Sequence, residues 1–396
     1  MKEISTNRYT MSRRVLLKNS SIFAATSLAM PFVAGGLTRQ AFAADKTVRI
    51  LHTAPTMDLP SWDDFEKASG YKVKVDIIKD DPGIFLNEMM VNDGGDRYDL
   101  ICTLSGVEKP LAAGGFISPI DVSRLKNFAG VTETLTNTSL MRFGGKQWST
   151  PYVMNADSFA YFPDELKLPG NPVEVSWATI FDNPDAMGRT STGDHYPFLV
   201  EAAAYGKVKG FLKIADPANM SETEANAAAD YLIERKRAGQ FRNFWSTFDQ
   251  QVTDIKNKEV KAIVCYEPAV KMAREAGINV QYAYAKEFYW KWMHTCMVPT
   301  QAVGSSKEEG VYAALDWFLG GQFAMNMTSL RGYVCARPDL ALKLVSASPD
   351  QAAVRQALNE ATEKIDRKFS KELYWFNSVP DNLQAIQAAM DRVLSA

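Results

Sequence analysis

Residues 147–162, QWSTPYVMNADSFAYF, constrain the fold of this chain more than any other stretch. From Tyr152 onward the run is apolar and aromatic, as a strand buried on both faces requires. The polar step Asn155, Ala156, Asp157, Ser158 interrupts it midway. A strand that leaves one sheet and enters another has this pattern, because the residues at the changeover belong to neither core. Strand and helix alternate before the stretch and again after it, with a different set of elements. A second extended run, residues 292–299, repeats the character and closes on Pro299. Two crossings predict two lobes, a hinge, and a cleft beneath it.

Residues 1–43 stand outside any fold argument. Ser12, Arg13, Arg14, Val15, Leu16, Leu17, Lys18 form a twin-arginine pattern, a weakly apolar run follows over 22–37, and Ala41, Phe42, Ala43 give an A-x-A cleavage site. The run holds Ser27, Gly35 and Gly36 and falls short of the roughly 20 apolar residues that span a bilayer. The pattern predicts a signal peptide, export by the twin-arginine route, and a periplasmic protein without membrane insertion. Its removal leaves 353 of 396 residues, more than one core usually serves, since cores split beyond about 250 residues. The formal net charge of −2 becomes −7 once the five net positive charges of the leader are gone, unlike a nucleic-acid binder. Cys102, Cys265, Cys296 and Cys335 are far apart with no C-x-x-C spacing, and each lies in an apolar stretch, so buried free thiols are expected.

In chain order, strands are predicted at 48–51, 71–77 and 98–102. Helices are predicted at 60–69, stopped by Gly70, and at 84–91. Such alternation predicts a mostly parallel sheet, and ligands bind outside the carboxyl ends of its strands. His52, Thr53 and Thr56 after the first strand, and Thr103 and Ser105 after the third, therefore fall at the cleft. Beyond the first crossing, Ser176 caps a short helix, Pro197 opens another, and Ser221 caps a long amphipathic one ending near Gly239. The strand at 260–265 runs into Tyr266 and Glu267, a third cleft loop. Residues 307–319 read as helix, 329–333 as a turn, and 383–394 as a closing amphipathic helix.

Catalytic patterns are poor. Ser123, Arg124, Leu125, Lys126 match S-x-x-K without its S-D-N and K-T-G companions, and no G-x-S-x-G, H-E-x-x-H, P-loop or G-x-G-x-x-G occurs. The three histidines, His52, His195 and His294, all fall at predicted cleft positions, but on separate segments with no close pair, which argues against a metal. Neither a catalytic residue nor a cofactor nor a metal is expected. The aromatics between Tyr282 and Trp292 are interrupted by Lys286, Glu287 and Lys291, which predicts a half-exposed aromatic wall gripping a small molecule.

The order of elements, together with Tyr98-Asp99-Leu100, Thr150-Pro151-Tyr152, Ala276-Gly277 and Met297-Val298-Pro299, resembles the spermidine/putrescine-binding proteins of ABC importers, family 1 extracellular solute-binding proteins. The resemblance spans nearly the whole mature chain. It implies an α/β, two-lobed periplasmic-binding-protein fold of type II. Hinge strands cross between lobe 1, residues 45–152 plus 294–340, and lobe 2, residues 153–293 plus 341–396. It also implies a monomer that delivers a small-molecule ligand to a permease and ATPase complex at the inner membrane. The departures bear on the ligand. Thr53 and Thr56 fall where the family carries a tryptophan and a tyrosine of its aromatic box, Gly106 on another tyrosine, and Cys265 or Tyr266 on another tryptophan. His195, or Asp194 by one residue of register, and His294 stand where the family places carboxylates. Trp292 and Tyr333 stay aromatic, and Trp375 lies near the polar contact of the last segment. Loss of carboxylates removes charge-assisted bonds to a dication. Glu267 and Asp194 remain for one ammonium, and His52, His195, His294 or Arg331 for an anionic end, which favours an amino-carboxylate or other small zwitterion. A true polyamine binder, a twin-arginine-exported enzyme, and a chemoreceptor-coupled sensor are the alternatives.

Overall fold

The computed structural model describes residues 46–396 apart from 54, 55, 58, 60, 80, 132, 137, 169–172, 346–350 and 376–378. The predicted leader lies outside the described residues. Strand Thr47–Thr53 (β1) pairs in parallel with Lys72–Ile78 (β2) on one side and with Leu100–Leu104 (β3) on the other. The connections are helices, as the alternation predicts. Asp63–Ser69 (α1) ends at Gly70 with φ of 72°, a left-handed cap that glycine adopts at no steric cost. Pro82–Met90 (α2) begins where the Asp81 side chain accepts from the Ile84 amide.

The first crossing behaves as its sequence predicts. Thr150–Asp157 (β4) is buried over its whole length and belongs to the first sheet. Phe159–Tyr161 (β5) belongs to the second, where it runs antiparallel to both of its neighbours. Only Ser158 separates them. Its amide donates to Tyr282 Oη and its hydroxyl to the Ala283 carbonyl, so the buried changeover leaves its polar groups bonded. The second sheet then grows from Thr190–Gly193 (β6), helix Tyr196–Lys209 (α3), helix Glu222–Arg237 (α4), Phe241–Trp245 (β7), Ala262–Val264 (β8), helix Glu267–Glu275 (α5) and Gln281–Tyr282 (β9), with strand order β7-β6-β8-β5-β9. Ser221 and Glu224 close a full capping box on α4.

The return to the first sheet lies between Tyr282 and Phe288, ahead of the stretch that the sequence marks. Phe288–Pro299 (β10) is a single 12-residue strand of the first sheet, flanked by β4 and β3, both antiparallel to it. Each sheet thus has a parallel half and an antiparallel half where a crossing strand enters. Helices Glu308–Phe318 (α6) and Gly321–Arg331 (α7), strand Val334–Cys335 (β11), helices Pro338–Leu344 (α8) and Ala352–Phe369 (α9), strand Glu372–Trp375 (β12) and helix Leu383–Ser395 (α10) complete the chain. Residues 329–331 are the last turn of α7 rather than a free turn, and the left-handed Gly332 ends it.

Two large cores form, one on each sheet. Val48, Leu100, Cys102, Val153, Met293, Phe318 and Phe323 belong to the first, and Phe159, Trp177, Trp245, Ile263 and Val264 to the second. The segment from 341 onward divides between them: Ala341, Leu358 and Ala361 pack with the first core, Ile386, Ala389 and Met390 with the second. Of the expected half-exposed aromatic wall, only Tyr284 and Trp292 stay half-buried. Phe288, Tyr289 and Trp290 are buried in the second core, because β10 runs between other strands, while Lys286 and Glu287 sit ahead of it. Glu287 accepts from Ser176 Oγ, the Trp177 amide and Lys209 Nζ, and Lys291 is buried with its ammonium 6.0 Å from the Phe369 ring. All four cysteines are buried and unbridged. Among the described residues no helix is long and apolar enough to cross a membrane.

Candidate functional site

The first wall of the site is built on β4 and β10. Trp292, Met293 and His294 face Asn155, Met154 and Val153 across the ladder, but Thr295 faces Pro151, so Tyr152 is an extra, bulged residue. Its hydroxyl lies 2.8 Å from Thr56 Oγ1, which in turn lies 2.7 Å from His294 Nδ1. The Trp292 ring stands 5.4 Å from the His294 ring and 5.6 Å from Tyr333. Thr53 donates to Thr103 at 3.4 Å, and the Ser105 amide ties the loop after β3 to the Met293 carbonyl. Burial holds His294 down to about 3, and burial with His294 nearby holds His52 at about 3. Both imidazoles are therefore neutral, so His294 offers hydrogen bonding rather than charge. His52 sits in the ladder between Ile77 and Cys102, fully buried, with neither ring nitrogen bonded.

A second wall gathers at the strand ends of the other sheet. His195 Nδ1 lies 2.6 Å from Asp194 Oδ1, and Ser246 donates to the other oxygen. The His195 ring meets Trp245 edge-on at 5.4 Å, and Tyr266, exposed, stands 5.9 Å from Trp245. Burial pushes the Tyr196 phenol at the start of α3 upward, and Asp81, the cap of α2, adds to it.

Between the walls lies a charged cluster that the sequence reading assigned only in part, through Glu267. Asp157 accepts from Trp292 Nε1 at 2.6 Å and from Tyr282 Oη at 3.4 Å. Glu267, first residue of α5, takes Lys364 Nζ at 2.6 Å on one oxygen and Lys368 Nζ at 3.3 Å on the other. Lys368 also donates to Asn155 Oδ1 at 2.9 Å. Burial raises Asp157 to about 6 even though Lys368 and Trp292 oppose it. Burial works against ionised Glu267, but Lys368 and Lys364 outweigh it and bring the carboxyl to about 2. Lys364 and Lys368, four residues apart on α9, share a helix face, and that spacing was the available signal. Arg331 ends α7, two residues before Tyr333. Trp375 pairs through its backbone with Lys291, and its side chain lies outside the described residues. Among the described residues no group of three or more His, Cys, Asp or Glu side chains is placed to hold a metal ion.

Two sheets joined by crossing strands, with strand-end loops converging on polar and aromatic side chains, define a protein that encloses a solute. The chain belongs to the bacterial extracellular solute-binding proteins, whose family pattern it matches over residues 61–354. Solved structures share its fold. A spermidine/putrescine ABC transporter substrate-binding protein from Streptococcus pneumoniae has a TM-score of 0.68 at 13% identity, over 88% of this chain and 98% of that one. An ABC transporter substrate-binding protein from Bradyrhizobium japonicum gives 0.64 at 17% identity, with the same coverage. A binding protein from Agrobacterium tumefaciens, solved with glucopine, gives 0.59 at 16%, over 88% and 99%. No curated protein matches the chain.

Proposed function

We propose that the chain is the periplasmic solute-binding component of an ABC importer, a binding protein rather than an enzyme, which captures a small polar ligand carrying an anionic group. An ω-amino acid or other small zwitterion fits better than spermidine. The carrying observation is the state of the carboxylates. Asp194 is already met by His195 and Ser246, Glu267 by Lys364 and Lys368, and Asp157 by Trp292. A dication would have to break these bonds before making its own, whereas the neutral His294 ring, held by Thr56 on its Nδ1 side, can turn Nε2–H to an anionic oxygen. The names of the similar structures fit more than one ligand class: spermidine/putrescine in one, glucopine in another.

The lobes close about Ser158 and about the return between Tyr282 and Phe288. Residues 45–157 and 288–369 form the first lobe, and 159–282 with 383–396 the second. This division follows the two sheets and counts α8 and α9 with the first lobe. The ligand passes from the closed lobes to a permease and ATPase pair, and the binding protein works as a monomer.

A thermal-shift screen of ω-amino acids and other small zwitterions against putrescine and spermidine tests the ligand. A ligand at about 100 times its Kd stabilises by roughly 2.7 kcal/mol. The zwitterion set is expected to shift the melting point, and saturation with the same compound to reduce the radius of gyration. His294→Asp, which sets a carboxylate in the first wall, is expected to weaken that binding about tenfold or more. A large shift with spermidine alone overturns the ligand class, and unchanged dimensions at saturation overturn the hinge.

The twin-arginine route has its own test. Replacing both Arg13 and Arg14 by lysine is expected to abolish appearance of the mature protein in the periplasm, because that pair is what the pathway reads. Export at the original level refutes the route while leaving the binding role intact.

A further inference from the structure

We propose that Lys368 supplies from within the chain the ammonium that the anionic corner of the site would otherwise take from a ligand, and so makes this corner a filter against amines. The proposal rests on the solute-binding reading above and names the residue that sets its specificity.

The corner is assembled from parts that recognise a primary alkylammonium. Asn155 Oδ1 and Glu267 Oε2 accept from Lys368 Nζ at 2.9 and 3.3 Å. The faces of Tyr282 and Tyr289 stand 5.4 and 6.0 Å from the same nitrogen, within the range of cation–π attraction. Asp157 lies alongside, joined to Asn155 by a 3.5 Å bond. These groups come from the crossing strand β4, from the start of α5, and from β9 and β10. The ammonium comes from elsewhere, the last turn of α9, where the helix dipole favours a cation.

An ordinary structural ion pair does not need this arrangement. Glu267 is already paired with Lys364, whose side chain is 29% exposed, whereas that of Lys368 is 2% exposed. Burying a second ammonium costs desolvation that a methionine would avoid. What the buried ammonium adds is occupancy. The corner adjoins the ligand walls through Trp292, which bonds to Asp157 and stacks edge-on to both His294 and Tyr333. With Lys368 in place, an amine entering the site finds its acceptors taken.

Chemical rescue tests this. Lys368→Ala deletes Cγ, Cδ, Cε and Nζ and leaves a space shaped for n-propylammonium. In thermal-shift and calorimetric titrations the Lys368→Ala protein is expected to bind n-propylammonium chloride at least about tenfold more tightly than the wild type, from regained charge-assisted bonds. Tetramethylammonium chloride at equal ionic strength should have no such effect. Adding Glu267→Gln to Lys368→Ala should abolish the gain, and Lys368→Met, which fills the space, should not show it. Should Lys368→Ala fail to fold, Lys368→Ser, which also empties the corner, carries the test with the same expected gain for n-propylammonium. Equal response of wild type and Lys368→Ala (or Lys368→Ser), or an equal gain in Lys368→Met, overturns the proposal. Neither measurement uses the protein's own ligand, so an error in the zwitterion reading leaves these outcomes unchanged.

Discussion

Glu267→Gln is expected to lower the unfolding free energy by about 3–5 kcal/mol, the typical cost of removing one partner from a buried ion pair. The loss arises mainly at Lys368, which is 2% exposed and would keep its charge against Asn155 with only Asp157 as a nearby carboxyl. Lys364 is 29% exposed and turns to water, so its share is small. A second change separates the two contributions. In Glu267→Gln with Lys368→Met the stranded ammonium is gone, and much of the lost stability should return. Urea denaturation of the three proteins at neutral pH reads this directly. A loss under 1 kcal/mol in the single variant would mean that water reaches Lys368 and the cluster is not dry.

Acid is expected to destabilise the protein through His52 more than through any exposed group. An imidazole ordinarily titrates at 6.5, and burial with His294 nearby brings His52 to about 3 in the fold. Between those values the unfolded chain binds a proton that the folded chain refuses. The contribution is therefore complete above pH 6.5 and drains away as pH falls toward 3. By pH 5 the loss amounts to about 2 kcal/mol, at 1.36 kcal/mol per pH unit. Asp157 acts in the opposite direction: raised from 3.8 to about 6, it takes up a proton in the fold as pH drops through that window and offsets part of the loss. Comparison of variants removes this complication. His52→Leu deletes a ring with no hydrogen-bond partner, so between pH 7 and pH 5 it should lose about 2 kcal/mol less than the wild type. Parallel pH profiles for the two proteins would show that His52 is hydrated in solution.

Local chemistry made much of the fold legible. The polar step at 155–158 marks the changeover between sheets because a buried strand has no other reason to carry Asn, Asp and Ser in succession. Gly70, Ser221 and Gly277 mark helix ends through backbone conformations and caps that few other residues provide. The aromatic run misled because charges beside aromatics were taken as exposure, and Glu287 turned out to be a buried acceptor serving Ser176, Trp177 and Lys209. Helix α9 was missed because its apolar residues are sparse among charged ones, and with it went both lysines of the cluster. Their partner Glu267 was visible as a loop residue after a strand. Nothing in the sequence places a side chain from position 368 against one from position 155, since only the fold brings together residues 213 apart.

The bulge at Tyr152 shifts the phase of the pleat. Side chains alternate with a period of two, so one unpaired residue inverts which face everything before it presents. Above the slip, Asn155 and Val153 share a face with Trp292 and His294; below it, Pro151, and by alternation Ser149, share a face with Thr295. Ser149 and Thr295 both donate to Glu108 Oε1 at 2.8 Å, and the Gly106 amide binds its other oxygen. Glu108 is wholly buried, and burial pushes its carboxyl upward against these donors. An in-phase strand would turn Ser149 away from Thr295 and take a donor from Glu108. The same single residue that frees a phenol for Thr56 and His294 therefore synchronises a carboxylate at the far end of the strand, and deleting position 152 would desynchronise both at once.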